Sequence, residues 1–132
     1  MSSINCEKHD VVLLPIPFTD LASRKVRPAV VAAVFPQHGD VVLVPITSQS
    51  HNIDAPLVDW QLTGLNVPCG IKAQVATLEQ GMIVQRLGRL SDRDKVTFDA
   101  RLMKWFQLAE RPAAKNWATR LRSLFGLGRR SK

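Results

Sequence analysis

Two apolar runs, Ala29–Phe35 and Asp40–Thr47, stand either side of the tetrapeptide Pro36-Gln-His-Gly39. No other feature constrains the fold of this chain as tightly. Runs rich in β-branched residues and bounded by Pro and Gly read as strands, and the tetrapeptide between them reads as a hairpin turn. Ala29–Phe35 is continuously apolar, which predicts a strand buried on both faces.

Upstream, Asp10–Phe18 reads as a strand centred on Val11–Leu14, with Pro15 and Pro17 limiting pairing at its far end. Thr19–Val26 is predicted to be a loop carrying Ser23, Arg24 and Lys25. Pro28 fits the first residue of the next strand, where its missing N–H removes no pairing. Arg27 is thereby expected at the rim between a flexible loop and a rigid sheet, a position that suits a functional cation. Downstream, Ser48–Asn52 reads as a polar loop, Ala55–Trp60 as a strand and Gly64 as a turn. Gly70–Leu78 reads as one strand ending near Glu79-Gln-Gly81, and Met82–Leu87 as a short strand or turn closing at Gly88. Ser91 fits a helix N-cap, with Asp92 and Asp94 in the first turn where the helix dipole favours acids. Val96, Phe98, Leu102, Phe106 and Leu108 then recur near helical spacing through Glu110, and Pro112 supplies the stop. Short strands succeeded by one helix predict a small, mostly β barrel of SH3-like type over residues 1–110.

Charge separates that domain from the C-terminal segment. Residues 1–110 hold 11 Lys+Arg and 11 Asp+Glu, so the whole net charge of +7 lies in residues 111–132. The basic pI therefore describes a tail and not the domain. No run reaches the roughly 18 apolar residues of a membrane span, and the first ten residues lack the basic start and apolar core of a secretory signal. Cys6 and Cys69 are far apart and match no metal-ligand spacing. They are expected as reduced thiols in a cytoplasmic protein. The three histidines are scattered and no Asp/Glu cluster exists, so no metal or other cofactor is expected.

The stretch PIPFTDLASRKVRPAVVAAV at Pro15–Val34 resembles the opening of the MazF/PemK toxin family of type II toxin–antitoxin systems. Asp40–Gln49 (DVVLVPITSQ) resembles the third strand of that family and its threonine. Ala73–Ser91 (AQVATLEQGMIVQRLGRLS) resembles the stretch leading to its last helix, so the likeness covers roughly residues 9–108. The resemblance implies an SH3-like barrel of the MazF/PemK (CcdB-like) type. It further implies a metal-independent, sequence-selective endoribonuclease acting on single-stranded RNA, homodimeric and silenced by a cognate antitoxin. It makes Arg27 and Thr47 catalytic, with Asp20 or Ser23 as the polar group of the preceding loop, Asp20 being taken as the acid. Ser23, Arg24, Lys25, Ser48, Gln49, Lys72, Gln74 and Thr77 are then RNA contacts. His38 and His51 fall in predicted loops and are given no role.

The likeness has gaps. Ala73 and Ala76 stand where the family commonly carries an acid and a base, Lys72 lies one place away, and His9 replaces a small glycine before Asp10. These departures favour an alternative, a non-catalytic relative binding RNA or a protein on the same groove. A gyrase-inhibiting toxin on the same barrel is a third reading. The tail has no counterpart in the family pattern. Trp117, Leu121, Leu124 and Phe125 alternate there with Lys115, Arg120 and Arg122, which suits an amphipathic basic helix able to track RNA, lie on an anionic membrane or dock on the barrel.

Overall fold

The computed structural model describes residues 4–16 and 25–108. Seven strands run in the order β1 Asp10–Pro15, β2 Val26–Phe35, β3 Asp40–Thr47, β4 Ala55–Pro56, β5 Gly70–Ile71, β6 Ala76–Glu79 and β7 Gln85–Arg89. A helix, α1, comes next at Asp92–Trp105, and short 3-10 turns lie at Ser50–Asn52, Trp60–Thr63 and Gln80–Met82. Every pairing is antiparallel, in the order β4-β5-β3-β2-β1-β7. The free edge of β3 is divided between two short strands, β6 along Asp40–Leu43 and β5 along Ile46–Thr47. The expected mostly β fold with a C-terminal helix is present. Among the described residues its strands do not pair into a closed ring, so the architecture is a curled sheet and not a closed barrel.

The hairpin forms as its sequence requires. Gly39 takes a φ of +70°, and both His38 N–H and Gly39 N–H donate to Phe35 O. Alternation along the three central strands puts Val12, Leu14, Ala29, Val31, Val41 and Leu43 into one core, joined by Ile16 and Ile83. Val11, Val30 and Val44, with the opposite parity, are also fully buried. The middle of the sheet is thus covered on both sides, at roughly 1.5–3 kcal/mol for each large apolar side chain removed from water. Two bulges, at Ala32 in β2 and Leu87 in β7, interrupt the ladders. Such insertions increase local twist and help a sheet to curl.

Several boundaries differ from expectation. β2 begins at Val26, so Arg27 and Pro28 lie inside a paired strand, opposite Leu14 and Leu13. The proline is tolerated because β3 joins β2 only from Ala29 onward, leaving one edge of Val26–Pro28 without a ladder among the described residues. Ala55–Trp60 is a two-residue strand with a turn and a 3-10 segment after it. Gly70–Leu78 is two strands parted at residues 72–75, where Gln74 N–H turns back to Lys72 O. Gly88 does not close β7 but pairs with Val11 within it.

Ser91 caps α1, its Oγ accepting from Asp94 N–H at 3.3 Å. Asp94 does more than complement the helix dipole. It is buried, and its carboxylate accepts from Val58 N–H and Asp59 N–H at 2.9 and 2.8 Å. Of the five apolar helix positions only Phe98 is fully buried, and Val96, Phe106 and Leu108 are exposed. The chain divides after Arg101 into two compact units. In the second, α1 ends at Trp105 and not at Glu110. Gln107 takes a φ of +60°, Leu108 N–H returns to Met103 O and Gln107 N–H to Lys104 O. That is a Schellman closure, which terminates the helix before Pro112 can act.

Candidate functional site

The corner where β2 begins and β3 ends opens into a groove of about 570 Å³. Ile16, Pro28, Pro45, Ile46 and Cys69 give it an apolar floor. Arg27, Thr47, Ser48, Gln49, Asn52, Lys72 and Gln74 supply polar walls, and Leu65, Asn66 and Val67 close the far side. Each cation is held by the sheet. Arg27 is fixed by pairing with Leu14 on β1, and Lys72 comes directly after β5, its N–H donating to Pro45 O at 3.0 Å. Among the described residues neither Arg27 nor Lys72 has an ion-pair partner, and no carboxylate lines the groove. Two unneutralised cations at one concave site suit an anion such as a phosphate.

Thr47 is the last residue of β3, opposite Gly70 of β5. Its Oγ1 accepts from Gln49 N–H at 3.1 Å, so the hydroxyl proton remains available to donate into the groove. The chain then turns tightly. Asn52 N–H donates to Gln49 O at 2.8 Å, and Asn52 Nδ2 donates to Gln49 Oε1 at 2.9 Å.

The far wall is anchored from behind. Asp59 accepts from Ser91 Oγ at 2.6 Å and from Arg93 Nε and Nη2, each at 2.7 Å. These bonds, that from Arg93 foremost, hold its carboxyl far below the usual range. With Asp94 they tie residues 58–59 to the start of α1, and Leu65–Val67 continue from that tether. Burial pushes the Cys69 thiol up to about 11, with the nearby charge of Asp94 adding to it. Cys69 therefore stays a neutral, apolar part of the floor.

Of the residues expected from sequence, Arg27, Thr47, Ser48, Gln49, Lys72 and Gln74 come together around this groove. Lys25 and Thr77 are described but do not line it. Thr77 sits on β6 opposite Val42. Asp20, Ser23 and Arg24 lie outside the described residues, as does the tail. Asn52, Leu65, Asn66, Val67 and Cys69 were not expected as wall residues. The sequence signal for Asn52 was its place three residues after Gln49 in a polar loop. The 65–69 segment carries no chemical pattern.

The fold of sheet and following helix is shared with solved toxin structures. The structure titled Mycobacterium tuberculosis toxin MazF-mt6 is similar with a TM-score of 0.60 at 18% identity, covering 76% of this chain and 99% of that one. A second, titled "Endoribonuclease in complex with its cognate antitoxin from Mycobacterial species", is similar with a TM-score of 0.58 at 14% identity, covering 80% of this chain and 97% of that one. No curated protein matches the chain. Residues 7–106 match the family described as "PemK-like, MazF-like toxin of type II toxin-antitoxin system", and the chain belongs to that family.

Proposed function

We propose that this toxin-family member is a sequence-selective endoribonuclease that cleaves single-stranded RNA. The observation that carries the reading is the convergence of Arg27, Lys72 and Thr47 on one groove, with no carboxylate among the described residues that line it. A scissile phosphate fits between the two cations. The adjacent ribose 2′-oxygen attacks phosphorus as its proton is removed, the bond to the 5′-oxygen breaks to leave a 2′,3′-cyclic phosphate, and the departing 5′-oxygen takes a proton from water to become a hydroxyl. The guanidinium of Arg27 stabilises the charge that develops on the phosphoryl oxygens. Its planar fork matches two of them at once. Because the nucleophile belongs to the substrate and two side chains supply the positive charge, the scheme runs without a metal. Asp20 is the only carboxylate in sequence between Asp10 and Asp40 and is the assigned proton acceptor, with Thr47 donating to the phosphate or ordering a water.

In this reading the protein acts in the cytoplasm as a homodimer. A cognate antitoxin lies across the groove, folding as it binds. The test is incubation of the purified chain, free of antitoxin, with mixed single-stranded RNA in EDTA. Discrete 5′-hydroxyl products are expected from the wild type, with a loss of about 10²–10³ in rate for Arg27→Ala. A folded wild type that leaves the RNA intact overturns the reading. Ala73 favours a second reading, a binding module on the same groove. Like Ala76, it offers no acid or base where the family commonly carries one, and its N–H is taken up by the Asp54 carboxylate. That reading expects RNA retention without products.

A further inference from the structure

We infer that Gln49 and Asn52 form a single base-reading unit, an amide pair that selects the unpaired nucleobase next to the phosphate held by Arg27 and Thr47. The inference rests on the RNA reading proposed above and adds to it the element that chooses sequence. The two side chains are linked head to tail, Asn52 Nδ2 donating to Gln49 Oε1 at 2.9 Å, and both line the groove. Their backbones are linked as well, through Asn52 N–H to Gln49 O at 2.8 Å. Gln49 N–H in turn donates to Thr47 Oγ1 at 3.1 Å. The pair is therefore positioned in fixed register with the hydroxyl that faces the phosphate, and a base beside that phosphate meets it first.

The chemistry of the pair comes from counting donors and acceptors. An amide carries one acceptor oxygen and a two-proton donor nitrogen. With one nitrogen and one oxygen used between them, Gln49 Nε2 and Asn52 Oδ1 remain to face a ligand. Exchanging O and N in both amides keeps their mutual bond and still leaves one donor and one acceptor outward. Either way the unit complements a base edge that offers one acceptor and one donor, as the adenine N6/N7 edge does. It opposes an edge of two acceptors or two donors. Because the pair is closed on itself, neither side chain has to be ordered when the base arrives.

Two isosteric substitutions separate this role from a merely structural one. Asn52→Asp lets the Gln49 amide turn round to donate, and Gln49→Glu leaves Asn52 Nδ2 donating to a carboxylate oxygen, so the turn stays closed in both. Each also changes the outward pattern from donor plus acceptor to two acceptors. Both variants are therefore expected to change base preference at the same nucleotide and in the same direction. The shift is toward guanine, whose N1–H and N2–H are adjacent donors, and away from the wild-type base by about tenfold or more.

The full-length wild type and both variants are compared on a single-stranded RNA pool randomised around a fixed core, with product ends sequenced. Binding of non-cleavable 2′-O-methyl homopolymers of A, C, G and U, each about five nucleotides long, to the same three proteins is measured in parallel by fluorescence anisotropy. Convergent shifts in the two variants support the inference. Unchanged preference in a wild type that cleaves or binds selectively overturns it while leaving the ribonuclease or binding reading intact. A wild type that neither cleaves nor binds any of these RNAs overturns both.

Discussion

Arg27 sits inside β2 and not on a loose rim, and this determines what its replacement does. Its backbone is held by the ladder to Leu14, so Arg27→Lys keeps both the strand and the charge. It removes the planar fork that, in the proposed scheme, matches two phosphoryl oxygens. Cleavage is expected to fall by about ten- to a hundredfold with the melting temperature unchanged, which single-turnover rates beside a thermal melt will check. A loss of activity matched by a loss of melting temperature would mean that the residue acts through the fold. The places of Arg27 and Thr47 on the groove were legible early because each lies within two residues of the end of a strand whose pattern is strong and inside a motif of recognisable type. Those of Asn66 and Val67 were not. Polar and small apolar residues in an irregular segment carry no periodicity, and contacts distant in sequence bring that segment to the groove, the tether through Asp59 and Asp94 on one side and the pairing of Gly70 with Thr47 on the other.

Among the elements, β7 and the 3-10 segment Trp60–Thr63 meet at a distance that only glycine permits. A Cβ on Gly88 would stand 2.9 Å from both Thr63 C and Thr63 O, and one on Gly64 would stand 2.8 Å from Leu87 O. Gly64 also has a φ of +85°, a conformation other residues adopt at a penalty. Gly88→Ala is expected to destabilise the protein by about 1–3 kcal/mol, as overpacking does, and to displace the bulge at Leu87. Urea unfolding of the two proteins measures the first effect directly. This contact also shows why element boundaries were harder to read than element types. The hairpin and the helix start depend on local chemistry, a Gly at positive φ and a Ser at the N-cap, and both formed where expected. The splitting of Gly70–Leu78 and the brevity of β4 depend on partners far away in sequence, since β3 offers one edge to two different strands. The helix end was missed for a related reason. Gln107 in the left-handed region closes α1 without the glycine that usually announces such a cap.

For the whole molecule, charge sets two further expectations, one for stability and one for RNA. Asp10 is 2% exposed at the start of β1, and it accepts from Glu7 N–H at 2.8 Å, Arg89 Nη1 at 2.8 Å and Arg86 Nη2 at 3.2 Å. Burial pushes its carboxyl up, but the hydrogen bonds from Arg86, Glu7 and Arg89 outweigh that and leave it below the ordinary carboxylate range. Asp59 is shifted the same way, chiefly by Arg93. A carboxyl lowered in the folded state binds fewer protons there than in the unfolded chain. Its contribution is complete above the unfolded value of about 4 and is lost as pH falls through the folded value. Melting temperature is therefore expected to hold above about pH 5 and to drop below about pH 4. Asp10→Asn should cost about 2 kcal/mol at pH 7, and the gap to wild type should narrow in acid. A constant gap down to pH 3 would show that Asp10 is not the titrating group. The second expectation comes from where the positive charge lies. Residues 1–110 are neutral overall and the groove holds two cations, whereas residues 111–132 carry seven cations and no acid. The groove can supply selectivity with little long-range attraction, so the tail is expected to supply most of the salt-dependent affinity for RNA. Each phosphate neutralised on a single strand contributes a slope of roughly −0.7 in log K against log salt. Deleting residues 112–132 removes six of the seven charges and should flatten that slope by about one to four units, leaving base preference and the position of the cuts unchanged. A slope unaltered by the deletion would assign the attraction to the groove, and a changed cutting pattern would assign the tail a part in choosing the site.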